Sequence, residues 1–282
     1  MRELVARFKE LATREIAEML RRYRKLCRLG DRLSLKRLKW RRAGRVWAAD
    51  HAKSPGRKGR RARQIFAVRD LASGRQITWQ FVPEETAATT IAILEEHFER
   101  HGAPLVLKLD NGPAFASSEM ERFLERWGVE LLASPVRTPS FNGAIERAVG
   151  VLKRETRRSA RAAGRSAKDW REEDLEGARG VNNARPALGE RKRSREEVWS
   201  QREWITPQER ERFRESVREE ELKELSAPRY PRSAGEMSRL ERQTIRRRAV
   251  TRALRAHDIL QVRSRRISEL ILRLRGAGNV QG

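Results

Sequence analysis

The sequence predicts an α/β fold: a mixed five-stranded sheet flanked by helices, with basic, mainly helical extensions at both ends. Three observations lead there. Three short apolar segments with strand character follow one another between residues 45 and 83. From residue 85 onward helix-period and strand-period segments alternate. Cap and turn residues stand between them, where each element has to stop. A three-strand meander followed by alternating helices and strands combines antiparallel pairing on one side of a sheet with parallel pairing on the other.

The elements follow in order. In residues 1–45, Leu4, Phe8, Leu11, Ile16, Met19, Leu20, Tyr23 and Leu26 recur near the helical period among dense Arg and Lys. This reads as one or two amphipathic helices, broken at Gly30 and continued as a basic connector. ATREIAEMLRRYRKL has the texture of a helix-turn-helix without a clear second recognition helix, and serves equally well as a helix that packs on a second subunit. RVWAAD is a short strand, and RQIFAVRDLASGRQITWQFVP is two strands joined at Ser73-Gly74. ETAATTIAILEEHFERHG is a helix opening near Glu85 or Thr86 and stopping at Gly102. PLVLKLDNG is a strand, SSEMERFLERWG a helix opened by Ser117 or Ser118, VELLASP a strand, and NGAIERAVGVLKRETRRSARAAG a long helix with Asn142 as its expected N-cap. Residues 46–200 thus form the central domain. Residues 201–282 form an Arg-rich, mainly helical region that starts with TPQERERFRESVREEELKEL and ends in a frayed tail.

Composition restricts the function classes. The chain has 282 residues, 64 Lys+Arg against 39 Asp+Glu, and a formal net charge of +25, the electrostatic footprint of a nucleic-acid partner. With 38% hydrophobic residues it can bury a core, so it is a folded protein with basic extensions. One cysteine, Cys27, and four His exclude a disulfide framework and a Cys/His zinc site, so a metal would be held mainly by carboxylates. No apolar run approaches the roughly 18 residues that span a bilayer, and charges interrupt MRELVARFKE from its start; the expectation is a cytoplasmic protein with no membrane association.

Asp50 ends the first strand of the meander, Asp110 ends the strand LKLD, and Glu146 stands in the first turns of the long helix, with 35 residues between it and Asp110. Asp110 and Asn111 are also good turn formers, and making that turn is a sufficient reason for both. If the first and fourth strands are neighbours, however, their carboxyl ends bring Asp50 and Asp110 together, with Glu146 over the same edge. Three like charges that close persist mainly when cations neutralise them.

The stretches VWAAD, KLDNGPAF and SPVRTPSFNGAIERAVGVLKRE, continued by NNARPALGERKRSREEVW, resemble the catalytic core of the retroviral-integrase and insertion-sequence transposase superfamily, the DDE integrase-core superfamily, over residues 46 to about 200. The resemblance implies an RNase H-like fold. It implies Asp50, Asp110 and Glu146 as catalytic and metal-binding residues, holding two Mg²⁺ or Mn²⁺ ions, hard cations suited to oxygen ligands. Two such ions roughly 4 Å apart clamp an in-line phosphoryl displacement. It implies a transposase or integrase that cleaves DNA 3′ ends and transfers them into target DNA, with water and then a 3′-hydroxyl as attacker and no Ser or Tyr nucleophile. Its partners would be double-stranded DNA, as element ends and as target, and further copies of itself in a homo-oligomer; on DNA it would be nucleoid-associated.

Supporting residues follow. Lys153 lies two helical turns after Glu146 on nearly the same face, and the resemblance makes it a DNA contact; neighbouring Arg154 and Arg157 serve that role or are simply solvated. Asn111 and Asn142 are DNA-contact candidates beside their turn and cap roles. KSPGRKGRRARQ, with Lys53, Arg57, Lys58, Arg60 and Arg61, is a candidate phosphate clamp, with a merely solvated loop as the competing reading. His51, Trp47, Trp79 and Trp127 read as packing residues. Retroviral integrases flank their core with a zinc-binding domain and a small β-barrel, which this sequence does not repeat, so their assembly rules do not transfer. The Arg-rich segment 239–275 is expected to bind DNA and to add oligomer contacts. The rival functions are a nuclease of the same fold that cuts without joining, an inactive DNA-binding relative, and a basic RNA-binding protein; the last leaves the acid spacing unexplained.

Overall fold

The computed structural model describes residues 34–55, 62–110, 112, 115, 117–135, 141–189, 192–226 and 237–266. The chain divides into two compact units, one formed by residues 1–39 with 261–282, the other by residues 40–260. In the first, a two-stranded sheet joins β1 (Ser34–Trp40) to β7 (Leu260–Arg266). These strands stand where composition reads as connector and helix. Neither segment has strict strand alternation; each is a strand because it finds a backbone partner more than 200 residues away, which no local pattern records. The proposed N-terminal helix-turn-helix lies outside the described residues.

The larger unit holds a five-stranded sheet in the order β4-β3-β2-β5-β6. β2 (Val46–Lys53), β3 (Gln64–Asp70) and β4 (Gln76–Val82) form the antiparallel meander, closed at its second turn by Gly74, whose φ of 80° only glycine adopts without strain. β5 (Val106–Leu109) runs parallel to β2, and β6 (Glu130–Ala133) parallel to β5. α1 (Ala87–His101) opens on Thr86, whose side chain accepts from the Thr89 N–H, and stops at Gly102; α2 (Ser118–Arg126) opens on Ser117 in the same way. Expected and observed limits of these helices agree because short-range capping chemistry sets them.

One face of the sheet turns Trp47, Ala49, Phe66 and Val68 into a core with Leu94, Phe98, Met120, Phe123 and Leu124 of α1 and α2. Trp47 is fully buried, edge-on to Phe98 with ring centres 5.5 Å apart. Each such side chain contributes about 1.5–3 kcal/mol by leaving water. The other face carries α3 (Gly143–Ala162), tied to β4 where the Trp79 indole N–H donates to Thr156 Oγ1 at 3.1 Å.

Both sheet edges are covered, which removes a site of strand addition. At β4, α4 (Glu172–Ala184) lends Asn183, whose amide accepts from Gln76 N–H at 2.8 Å and donates to Gln76 carbonyl at 3.0 Å, as a neighbouring strand would. After the short α5 (Arg195–Ser200), helices α6 (Pro207–Leu225) and α7 (Arg239–Ala256) pair with each other. α7 covers β6, where buried Glu130 takes the Arg246 guanidinium at 2.5 Å. Arg210 of α6 donates to the carbonyls of Ala103, Pro104 and Gly128. Among the described residues no helix is long and apolar enough to cross a membrane.

Candidate active site at the carboxyl edge of the sheet

Parallel pairing of β2 with β5 sets Ala48 opposite Lys108, so two residues further along each chain Asp50 and Asp110 stand level with each other; Asp110 lies just past β5, but Asp50 does not end its strand as expected, because pairing with β3 carries β2 on to Lys53. Asp50 is half-buried near the end of β2. Asp110, just past β5, is half-buried as well, and its Oδ1 accepts the Gly112 N–H at 2.9 Å. The turn-forming role of Asp110 is therefore present in the structure, beside any other role. Glu146 is exposed in the first turn of α3, and its own N–H donates to the Asn142 carbonyl at 3.2 Å.

The three carboxylates share an electrostatic environment. The Asp50 carboxyl is pushed up to about 6, first by burial and then by Asp110 and Glu146, against a lowering hydrogen bond from the His51 backbone. A fourth acid, Glu85, adds to the upward push; it is exposed just ahead of α1. The sequence offered no signal for Glu85 beyond its place near a helix start.

The counter-charge is Lys108, only 5% exposed in the middle of β5. Its ammonium donates to the Phe141 carbonyl at 2.6 Å and to Asn142 Oδ1, and lies 4.2 Å from the centre of the Phe141 ring. Burial brings its pKa down to about 8, with Glu146 and Asp50 pulling the other way. Sequence reasoning missed this residue, although a lysine between Leu107 and Leu109 in an otherwise apolar strand was the available signal. Asn142 holds the N-cap position but makes no side-chain cap bond, contrary to expectation. Its Oδ1 is occupied by Lys108 and by Ser134 Oγ at 2.8 Å, a buried charge-assisted contact that outcompetes a cap.

His51 is a packed ring, as expected: it lies against Phe66 and Phe115, and its Nε2 stands 3.1 Å from Thr90 Oγ1. Lys153 is half-buried on α3, while Arg154, Arg157 and Lys53 are exposed. Asn111, Arg57, Lys58, Arg60 and Arg61 lie outside the described residues. Arg63, at the far end of that basic loop, is engaged by Glu172 at 2.9 Å and stacks on Phe81.

Among the described residues no three acidic, His or Cys side chains are grouped so as to hold a metal ion. The donors do fit a hard divalent cation in kind. They are all carboxylate oxygens, and Asp110 and Glu146 add to the burial that raises the Asp50 carboxyl, a repulsion that a cation would relieve.

Residues 41–139 match the integrase core domain family, a stretch that includes Asp50 and Asp110 and stops before Glu146. The Gag-Pol polyprotein of Koala retrovirus is 31% identical over 130 residues, 46% of this chain and 8% of that polyprotein. The chain spans less than a quarter of the length of the curated relatives it matches. The cryo-EM structure of the simian T-cell lymphotropic virus intasome in complex with PP2A regulatory subunit B56 gamma superposes with a TM-score of 0.50 at 18% identity, over 61% of this chain and 62% of that one. The HTLV-2 integrase catalytic core domain in complex with magnesium, in its dimeric form, has a TM-score of 0.46 at 19% identity, over 56% of this chain and 97% of that one.

Proposed function

We propose that this chain, which matches the integrase core domain family over residues 41–139, is a polynucleotidyl transferase of the DDE integrase-core superfamily, a DNA transposase or integrase that cleaves DNA 3′ ends and transfers them into target DNA. The observation that carries the reading is convergence. Two adjacent parallel strands and the first turn of a helix bring Asp50, Asp110 and Glu146 to one edge of the sheet.

In this reading Asp50, Asp110 and Glu146 hold two Mg²⁺ or Mn²⁺ ions, which when bound activate the attacking oxygen and stabilise the leaving one. The chain's own contribution is placement. β2 and the end of β5 hold the two Asp carboxyls on rigid elements, and Lys108 offsets their repulsion from below. Lys153, Arg154 and Arg157 on α3, with Lys53, Arg57, Lys58, Arg60 and Arg61 of KSPGRKGRRARQ, neutralise DNA phosphates, and Asn111 adds an uncharged hydrogen bond; Asn142, buried with its Oδ1 taken by Lys108 and Ser134, is left to its structural role. In cutting, water attacks phosphorus and the bond to the 3′ oxygen breaks, leaving a 3′-hydroxyl. In joining, that hydroxyl attacks a target phosphodiester, and the target's own 3′ oxygen leaves. Two element ends joined in concert call for more than one copy, hence a homo-oligomer on double-stranded DNA.

The test is incubation with labelled linear DNA carrying candidate element ends, a circular target and Mg²⁺ or Mn²⁺, beside Asp110→Asn. Joined products that vanish in the variant are the expected result. Metal-dependent cutting without joining would replace this reading with a nuclease, and tight binding with neither product would replace it with an inactive DNA-binding relative.

A further inference from the structure

Glu146 is the acid that the sheet does not hold. Asp50 and Asp110 are fixed by the pairing of β2 with β5, whereas Glu146 rides on the first turn of α3 and is exposed. Two ties connect that turn to the sheet: Arg69 of β3 donates to the Ala144 carbonyl at 3.4 Å, and a buried cluster holds the residues just ahead of the turn. Lys108 of β5 donates to the Phe141 carbonyl at 2.6 Å and to Asn142 Oδ1, and Ser134, at the end of β6, reaches the same Oδ1 at 2.8 Å. The Asn142 carbonyl in turn accepts the N–H groups of Ile145 at 3.0 Å and of Glu146 at 3.2 Å. Phe141 and Asn142 immediately follow residues 136–140, so the cluster is also where the chain enters α3.

We propose that Lys108 and Asn142 are positioning residues for the acidic site: together they fix the start of α3 to β5 and to the end of β6, and so set where the Glu146 carboxylate stands relative to Asp50 and Asp110. The chemistry favours a lysine here. A compact ammonium with three donors satisfies a carbonyl and an amide oxygen at once, and its charge is tolerated in the interior because acids lie above it. The proposal rests on the reading of Asp50, Asp110 and Glu146 as a cation site, and makes the cluster the support that such a site requires.

Charge and position predict opposite outcomes, which makes the proposal testable. Deleting a cation beside three carboxylates should by Coulomb's law tighten divalent-cation binding severalfold. Losing the position of one carboxylate should weaken it, by about 10–100-fold when a supporting partner of a ligand is lost. Free Mn²⁺ would be titrated by its electron paramagnetic resonance signal against the full-length protein and the variants Lys108→Met, Asn142→Ala, the double variant and Asp110→Asn, each checked for native thermal unfolding. Expected are weaker Mn²⁺ binding in both single variants, by tenfold or more, and a double variant no weaker than the poorer single. Unchanged or tighter binding in Lys108→Met, with Asp110→Asn still defective, would overturn the positioning role while leaving the cation site standing. Equal Mn²⁺ binding by wild type and Asp110→Asn would overturn the site itself and the positioning role with it. If Lys108→Met does not fold, Asn142→Ala, which keeps every charge, decides alone: wild-type Mn²⁺ affinity in that variant overturns the proposal.

Discussion

Asp70 is a fully buried carboxylate at the end of β3, and removing it is the sharpest test of how the meander is held. It accepts the Gly44 N–H at 2.9 Å, the Ser73 N–H at 2.7 Å and the Ser73 hydroxyl at 2.6 Å. It thus ties the turn before β2 to the turn between β3 and β4. Burial raises its pKa, and the Ser73 and Gly44 donors, with Arg69, act to lower it. Asp70→Ala leaves two buried backbone N–H groups without an acceptor, while the Ser73 hydroxyl can rotate. At about 1–3 kcal/mol for each stranded donor the loss is about 4 kcal/mol, a large part of the roughly 5–15 kcal/mol that a domain commands. Asp70→Asn keeps one acceptor but turns an NH₂ toward a donor, and should lose about half as much. Urea unfolding followed by tryptophan fluorescence reads both changes, since Trp47 and Trp199 are buried in the same core; the Ala variant should lower the midpoint by about 1–2 M. An Asn variant as stable as wild type would refute the reasoning, because desolvation of the charge would then cancel everything its three donors provide.

Two other predictions concern the rest of the molecule. His97 is buried with neither ring nitrogen hydrogen-bonded, and burial brings its pKa down to about 4. Because the folded-state value lies below the unfolded one, its contribution to stability is present above about pH 6.5 and is lost as pH falls toward 4; His97→Leu should therefore raise Tm at pH 5 by several degrees more than at pH 7.5, and equal shifts at both would sink this account. If Lys153, Arg154 and Arg157 contact phosphates, replacing all three by Ala should reduce the slope of log K against log salt for double-stranded DNA by about 2–3. An unchanged slope would return them to solvated helix charges.

The order of elements from β2 to α3 and the limits of α1 and α2 were determined by the sequence itself, because alternation, helical period and the caps at Thr86, Ser117 and Gly102 act over a few residues. That β2 and β5 are neighbours, which sets Asp50 level with Asp110, followed once the meander and the alternation behind it were recognised; that β2 runs on past Asp50 to Lys53 did not. Tertiary structure decided the rest. Asn142 reads as a helix cap, but its amide oxygen goes to a lysine 34 residues earlier. Asn183 looks like any helix-end asparagine until it lies against the free edge of β4. β1 and β7 are strands only through each other, and Glu85 joins the acids only through space. Local conformational preference is written in neighbouring residues, whereas the occupant of a buried polar group's remaining bond depends on which elements the fold brings together.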